Sequence, residues 1–172
     1  MYNDNGNGNA NGNLNLNLNV NDNININFND NNMRQPRGLR NNNPLNIRKS
    51  RKTTWVGQSE KQEDRDFVQF CSMAYGYRAA FKVLQNYRVL YDCMTLRQYI
   101  QRWAPPIENN TDAYVSSVAR TAGVNPDALL PSPRKGRAVW VKIVAGMHLV
   151  ENGMMPVVSR IEEGWELAFA KI

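Results

Sequence analysis

Apolar residues follow two different rhythms along this chain, and the change of rhythm divides it. Up to residue 32 they alternate with asparagine. Every odd position from Asn3 to Asn31 is Asn, and Leu14, Leu16, Leu18, Val20, Ile24, Ile26 and Phe28 sit at even positions between them. A period of two is strand spacing. Asparagine is depleted in strands, however, and a face built only of Asn has no evident partner. Residues 1–32 therefore read as a disordered, Asn-rich tail that can pair into sheets with other copies. The ordered domain is expected over 33–172.

That domain opens with "PRGLRNNNPLNI" at 36–47, dense in turn formers and read as a loop. "TTWVGQ" at 53–58 and "DFVQF" at 66–70 are short, β-prone and partly alternating, so two small strands are expected. Helical spacing then takes over. Tyr77, Phe81, Leu84, Tyr87 and Tyr91 form one stripe and predict a helix over about 76–91. "TLRQ" at 95–98 is a capping box that opens a short helix, ended by Pro105 and Pro106. Asn110 or Thr111 caps the next, which carries Tyr114, Val115, Val118, Ala119 and Ala122 and stops at Gly123. Ser132 and Pro133 suit the cap and first position of a helix of about 18 residues running to Glu151. Its wide apolar stripe, from Val139 and Trp140 to Met147 and Val150, predicts the central buried helix. A last helix is expected after Ser159, in a capping box with Glu162, packing Ile161, Trp165 and Phe169. The fold class is mainly α (α+β), a helical domain with a small β region.

Composition narrows the chemistry. No run of 18 apolar residues exists, so no membrane-spanning helix is expected. The N-terminus lacks the basic and apolar regions of a secretory signal, so passage out of a cell would fall to another agent. Cys71 and Cys93 make neither a disulfide framework nor a zinc pattern and are read as two buried thiols, with one bridge between them as the alternative. With one histidine, His148, a histidine-rich metal site is impossible, and no metal or cofactor is expected. Net charge is +6, but residues 1–32 hold three aspartates and no Lys or Arg, which leaves +9 on the rest. Seven cations fall between Arg34 and Lys52. Such a segment attracts polyanions, whether nucleic acid or an anionic cell wall.

One residue stands out. Glu151 in "HLVENGMMP" follows a long apolar stretch and precedes Asn152 and Gly153, a helix-stopping pair. Helix C-termini already carry about half an elementary negative charge, so an acid there is disfavoured. Apolar neighbours Val150, Met154 and Met155 would desolvate it, and no cation is near in sequence. Desolvation and like-charge fields favour the protonated acid, the form that glycosidic cleavage needs in a proton donor. The plain alternative is a solvated side chain at a frayed helix end.

"VENGMMP" resembles the ESG-x-x-P signature of lytic transglycosylases, whose helix-ending Glu is the catalytic acid. The chain as a whole resembles a phage and prophage virion-protein family with a lysozyme-like domain. The blocks that carry the resemblance are "RGLRNNNPLNIR" at 37–48, "WVGQ" at 55–58, "DRDFVQF" at 64–70, "YGYRAAFKVLQNY" at 75–87, "RWAPPIENNTDAYVSSVA" at 102–119 and "VENGMMP" at 150–156. They keep a consistent order over about 120 residues. Two positions depart from the pattern: Val150 stands where it has His, and Leu45 where it has Gly. A Gly there would allow positive φ, at which leucine is strained.

The resemblance implies a lysozyme-like fold, a place in the virion among other virion proteins, and action on peptidoglycan glycan strands with Glu151 as acid and then base. In lysozyme-like enzymes an N-x-x-x-N-I loop follows the catalytic Glu; here "NNNPLNI" precedes it by about a hundred residues. A circularly permuted arrangement would rejoin them, with Asn42, Asn43 and Asn46 lining the cleft; plain turn formation is the alternative for these asparagines. Trp55, Gln58 and Tyr114 join the substrate-binding candidates, Trp55 and Tyr114 as platforms for sugar rings, as Tyr75 also could be. Each aromatic could equally be core. Asp66 and Glu108 are possible second carboxylates, as hydrolysis by paired acids requires; Asp66 could instead pair with an Arg, and Glu108 brace a loop. A transglycosylase route needs only one acid/base, helped by the substrate's own N-acetyl group. Two rival readings remain: a virion structural protein that keeps the fold without turnover, and a basic nucleic-acid-binding packaging protein, for which no recognisable motif is present.

Overall fold

The computed structural model describes residues 35–107 and 109–170. The Asn-rich tail and Glu108 lie outside the described residues. Six helices follow in order: α1 (Arg37–Arg40), α2 (Met73–Tyr91), α3 (Leu96–Trp103), α4 (Thr111–Ala122), α5 (Arg137–Asn152) and α6 (Val158–Phe169). The apolar stripes read from the sequence turn inward. Tyr77, Phe81 and Leu84 of α2 are buried, Tyr87 is half-buried, and Tyr91 at the end is exposed. Trp140, Ile143, Val144 and Met147 of α5 are fully buried. Removing each such side chain from water stabilises the fold by ~1.5–3 kcal/mol. α2 packs chiefly on α6, and α4 on α5. At the α2–α6 contact Gly164 is required: a Cβ there would lie 2.4 Å from Tyr77 Cβ. All of this falls within one compact unit, Arg34–Ile172.

Helix ends depart from expectation in three places. Residues 36–47 are not wholly loop, since Arg37–Arg40 make one helical turn. α5 starts at Arg137 rather than after Ser132. The Ser132 carbonyl instead closes a turn, accepting from the N–H groups of Lys135 and Gly136 at 2.9 Å each. The indole N–H of Trp140 donates to Pro131 O at 2.7 Å and that of Trp165 to Pro133 O at 2.9 Å, so the turn is held from two helices. α6 begins before Ser159, with Val157 at its N-cap and no side-chain cap. By contrast the Thr95–Gln98 capping box of α3 forms in both directions, and Asn110 caps α4 through the Ala113 N–H.

The two expected strands reduce to single bridges, Arg48 with Phe67 and Gln58 with Phe70, beside a tight Ser50–Thr53 pair. Side chains take up backbone groups that a ladder would have used. Asn43 Nδ2 donates to Val68 O, Asn42 Nδ2 to Phe70 O, and Gln62 both donates to Gln69 O and accepts from its N–H. Both cysteines are free, and Cys71 is exposed rather than buried.

Candidate functional site

Glu151 is the last residue but one of α5. The helix stops because Gly153 takes φ +72°, a left-handed value suited to glycine, and returns its N–H to Leu149 O. The buried stretch through Met147 and His148 fixes where this end points. Glu151 is half-buried there. Asn46 Nδ2 donates to Glu151 Oε2 at 2.8 Å across 105 residues of sequence. The Tyr114 hydroxyl donates to Glu151 Oε1 at 2.9 Å across 37 residues. Both carboxylate oxygens thus act as acceptors. Burial first, then the charge and hydrogen bond of Glu151, hold the Tyr114 phenol well above its ordinary value, so it remains a donor. Of the three residues named for the expected apolar cover, Val150 and Met155 are exposed and Met154 is half-buried.

The loop that delivers Asn46 is locked by its own amides. Asn42 and Asn46 adopt positive φ, 49° and 52°, which asparagine tolerates. Leu45 does not; it is a core residue, so the departure from Gly at this position brings no left-handed strain. Asn43 is fully buried, donates to Ile47 O and Val68 O, and accepts from the Ile47 N–H. Of the three asparagines proposed to line a cleft, only Asn46 meets Glu151. Asn42 ties the loop to Phe70 O, and Asn43 braces Ile47 and Val68.

Sequence reasoning passed over Asn152 and Gly38. Asn152 read as part of a helix stop, yet it is buried and its Nδ2 donates to Pro44 O at 2.7 Å and His148 O at 3.1 Å. It therefore ties the end of α5 to the loop that carries Asn46. Among the described residues, no hydrogen-bond donor meets Asn46 Oδ1 or Asn152 Oδ1. Both face Gly38, where a Cβ would stand 2.8 Å from Asn152 Oδ1 and 3.1 Å from Asn46 Oδ1. Only a glycine leaves these amides room. No local pattern marks either residue.

The remaining candidates sit elsewhere. Asp66 pairs with Arg37 at 3.1 Å and is exposed. Its neighbour Asp64 is the hub: Arg37 grips it through two nitrogens at 2.7 Å each, and it accepts from Asn41 and from the Asp66 and Phe67 N–H groups. The Arg37 contact leads in holding the Asp64 carboxyl far below the usual range, against the opposing effect of burial. Trp55 is half-buried against the core, and its backbone N–H donates to Gln58 Oε1. Neither Trp55 nor Gln58 is hydrogen-bonded to the Glu151 group. Gln58 instead helps line an open depression with Lys49, Arg51 and Gln62. The basic segment is partly committed internally: Arg37 to Asp64 and Asp66, Arg48 over the Phe67 ring, and Lys49 to the carbonyls of Gln62 and Asp64. Among the described residues, no group of three His, Cys, Asp or Glu is placed to hold a metal, and no helix is long and apolar enough to cross a membrane.

Fold and site together define a mainly helical domain in which a braced asparagine loop closes on the glutamate at the end of its buried helix. No family model matches the chain. It is 34% identical over 136 residues to Protein P5 of Pseudoalteromonas phage PM2, covering 77% of this chain and 82% of that protein. The chain belongs to the family of that phage protein.

Proposed function

We propose that this is a phage or prophage virion protein whose helical domain cleaves bacterial peptidoglycan. The observation that carries the reading is the convergence of Asn46 and Tyr114, from opposite parts of the chain, on Glu151. Glu151 would protonate the β-1,4 glycosidic oxygen between N-acetylmuramic acid and N-acetylglucosamine, then take a proton back from the attacking hydroxyl. To do so, one of its oxygens must exchange its present donor for the glycan. The amide of Asn46 is of the kind that recognises sugar N-acetyl groups. The phage relative supports a virion setting, with other virion proteins as partners. Lysozyme-like ancestry rests on the sequence blocks between Arg37 and Pro156.

A second reading has a specific observation behind it. Both Glu151 oxygens are satisfied by the chain's own donors. In that reading Glu151 fastens α5 to the loop in a virion structural protein without turnover. A gel containing sacculi separates the two. Clearing by wild type and none by a folded Glu151→Gln variant supports cleavage. No clearing by folded wild type sinks it and leaves the structural role. Packaging of nucleic acid, the third possibility, would require steeply salt-dependent DNA binding.

A further inference from the structure

A second group of side chains, none hydrogen-bonded to the Glu151 site, gathers positive charge without a matching acid among the described residues. Arg78 and Lys82 lie one turn apart on α2 and share a face. The end of α6 packs beside them: Arg78 Nε donates to Leu167 O at 3.3 Å, and Lys82 Nζ lies 5.3 Å from the centre of the Phe169 ring. Further along α2, Gln85 Oε1 accepts from the backbone N–H of Arg134 at 3.0 Å, which draws the Ser132–Gly136 turn alongside and sets the exposed Arg134 at the rim of this group. Lys82 is half-buried. Burial lowers its pKa, and the charges of Arg78 and Arg134 lower it further. Among the described residues, no Asp or Glu comes within ion-pair distance of any of the three.

The negative pole of α6 offsets part of this charge, because Arg78 covers one of its last carbonyls. That pole amounts to only about half an elementary charge, against three cations. Like charges around a half-buried ammonium oppose one another unless an anion joins them. We propose that Arg78, Lys82 and Arg134 form a binding site for a phosphate-type oxyanion. A guanidinium fork matches two oxygens of such a group, and an ammonium supplies a point charge to a third. A carboxylate would satisfy one fork and leave the other cations unmatched; a tetrahedral phosphoryl group offers an oxygen to each wall of the corner.

Phosphate and pyrophosphate titrated into the isotope-labelled full chain test the proposal. Saturable amide shifts are expected at Lys82, Gln85, Arg134 and Phe169, with a rise in unfolding midpoint because ligand binds the native state. Lys82→Gln weakens binding by about tenfold or more, the worth of one charge-assisted hydrogen bond. Lys82→Arg restores most of it. Lys142→Gln, at an exposed position of α5, leaves it unchanged. Vesicles of phosphatidylcholine with or without phosphatidic acid give the source: Lys82-dependent co-sedimentation with the acidic vesicles places the phosphate on a lipid headgroup, and pyrophosphate binding alone places it on a soluble molecule. No saturable binding of any probe overturns the site. So does equal loss in the Lys82→Gln and Lys142→Gln variants, or unchanged affinity in a folded Lys82→Gln protein.

Discussion

His148 lies one turn before Asn152 and receives that residue's amide on its carbonyl. Its ring is buried, and its Nδ1 sits 2.7 Å from the Tyr77 hydroxyl. Burial pushes the imidazole down to about 4 from the ordinary 6.5. Between those values the unfolded chain holds a proton that the folded one does not. Stability is therefore full above pH 6.5 and falls as pH drops toward 4, by ~3 kcal/mol at most. Denaturant titrations from pH 7 to 4 should show this fall, and His148→Gln should remove it. Asp64 acts in a lower window. Arg37 holds its carboxyl below the usual range, so its contribution is present above about pH 4 and lost only below. At Glu151, Tyr114→Phe deletes one donor and should cost roughly 1–2 kcal/mol. Asn46→Gly deletes the other while keeping the left-handed backbone accessible. The two share one carboxylate, so a double-mutant cycle should show coupling of about 0.5 kcal/mol or more. Additive effects would mean that the donors act independently. At this scale Glu151 was legible as an acid in an unfavourable place. Which member of the Asn42, Asn43 and Asn46 set would reach it was not, because all three share one side chain and differ only in the direction the folded loop gives them.

Helix boundaries show the same split between pattern and packing. "TLRQ" and "SRIE" both carry a capping-box signature, yet only the first forms. Val157 already occupies the N-cap of α6, so Ser159 lies inside the first turn, where its hydroxyl has no cap to make. Thr95→Ala should accordingly lower stability by ~1 kcal/mol, and Ser159→Ala should stay within ~0.5 kcal/mol. Matched losses in the unfolding free energies would contradict this assignment. The strand segments tell a similar story. Alternation at 66–70 was real, but Asn42, Asn43 and Gln62 claimed the backbone groups on which a ladder depends.

At the scale of the molecule, the described helices form one unit from Arg34 onward. The sequence by itself determined the mainly helical class, five helices close to their observed positions, and the faces they bury. Apolar spacing and cap chemistry are local, so they can be read within a few turns of chain. Tertiary structure alone decided that Asn46 and Tyr114 meet Glu151, that Asn152 and Gly38 hold the meeting place, and that the end of α6 and the Arg134 backbone come alongside the Arg78 and Lys82 face of α2. Most of those relations join residues tens to a hundred positions apart, and the packing of α5 against the loop, of α4 on α5 and of α6 on α2 brings them within hydrogen-bonding or electrostatic range.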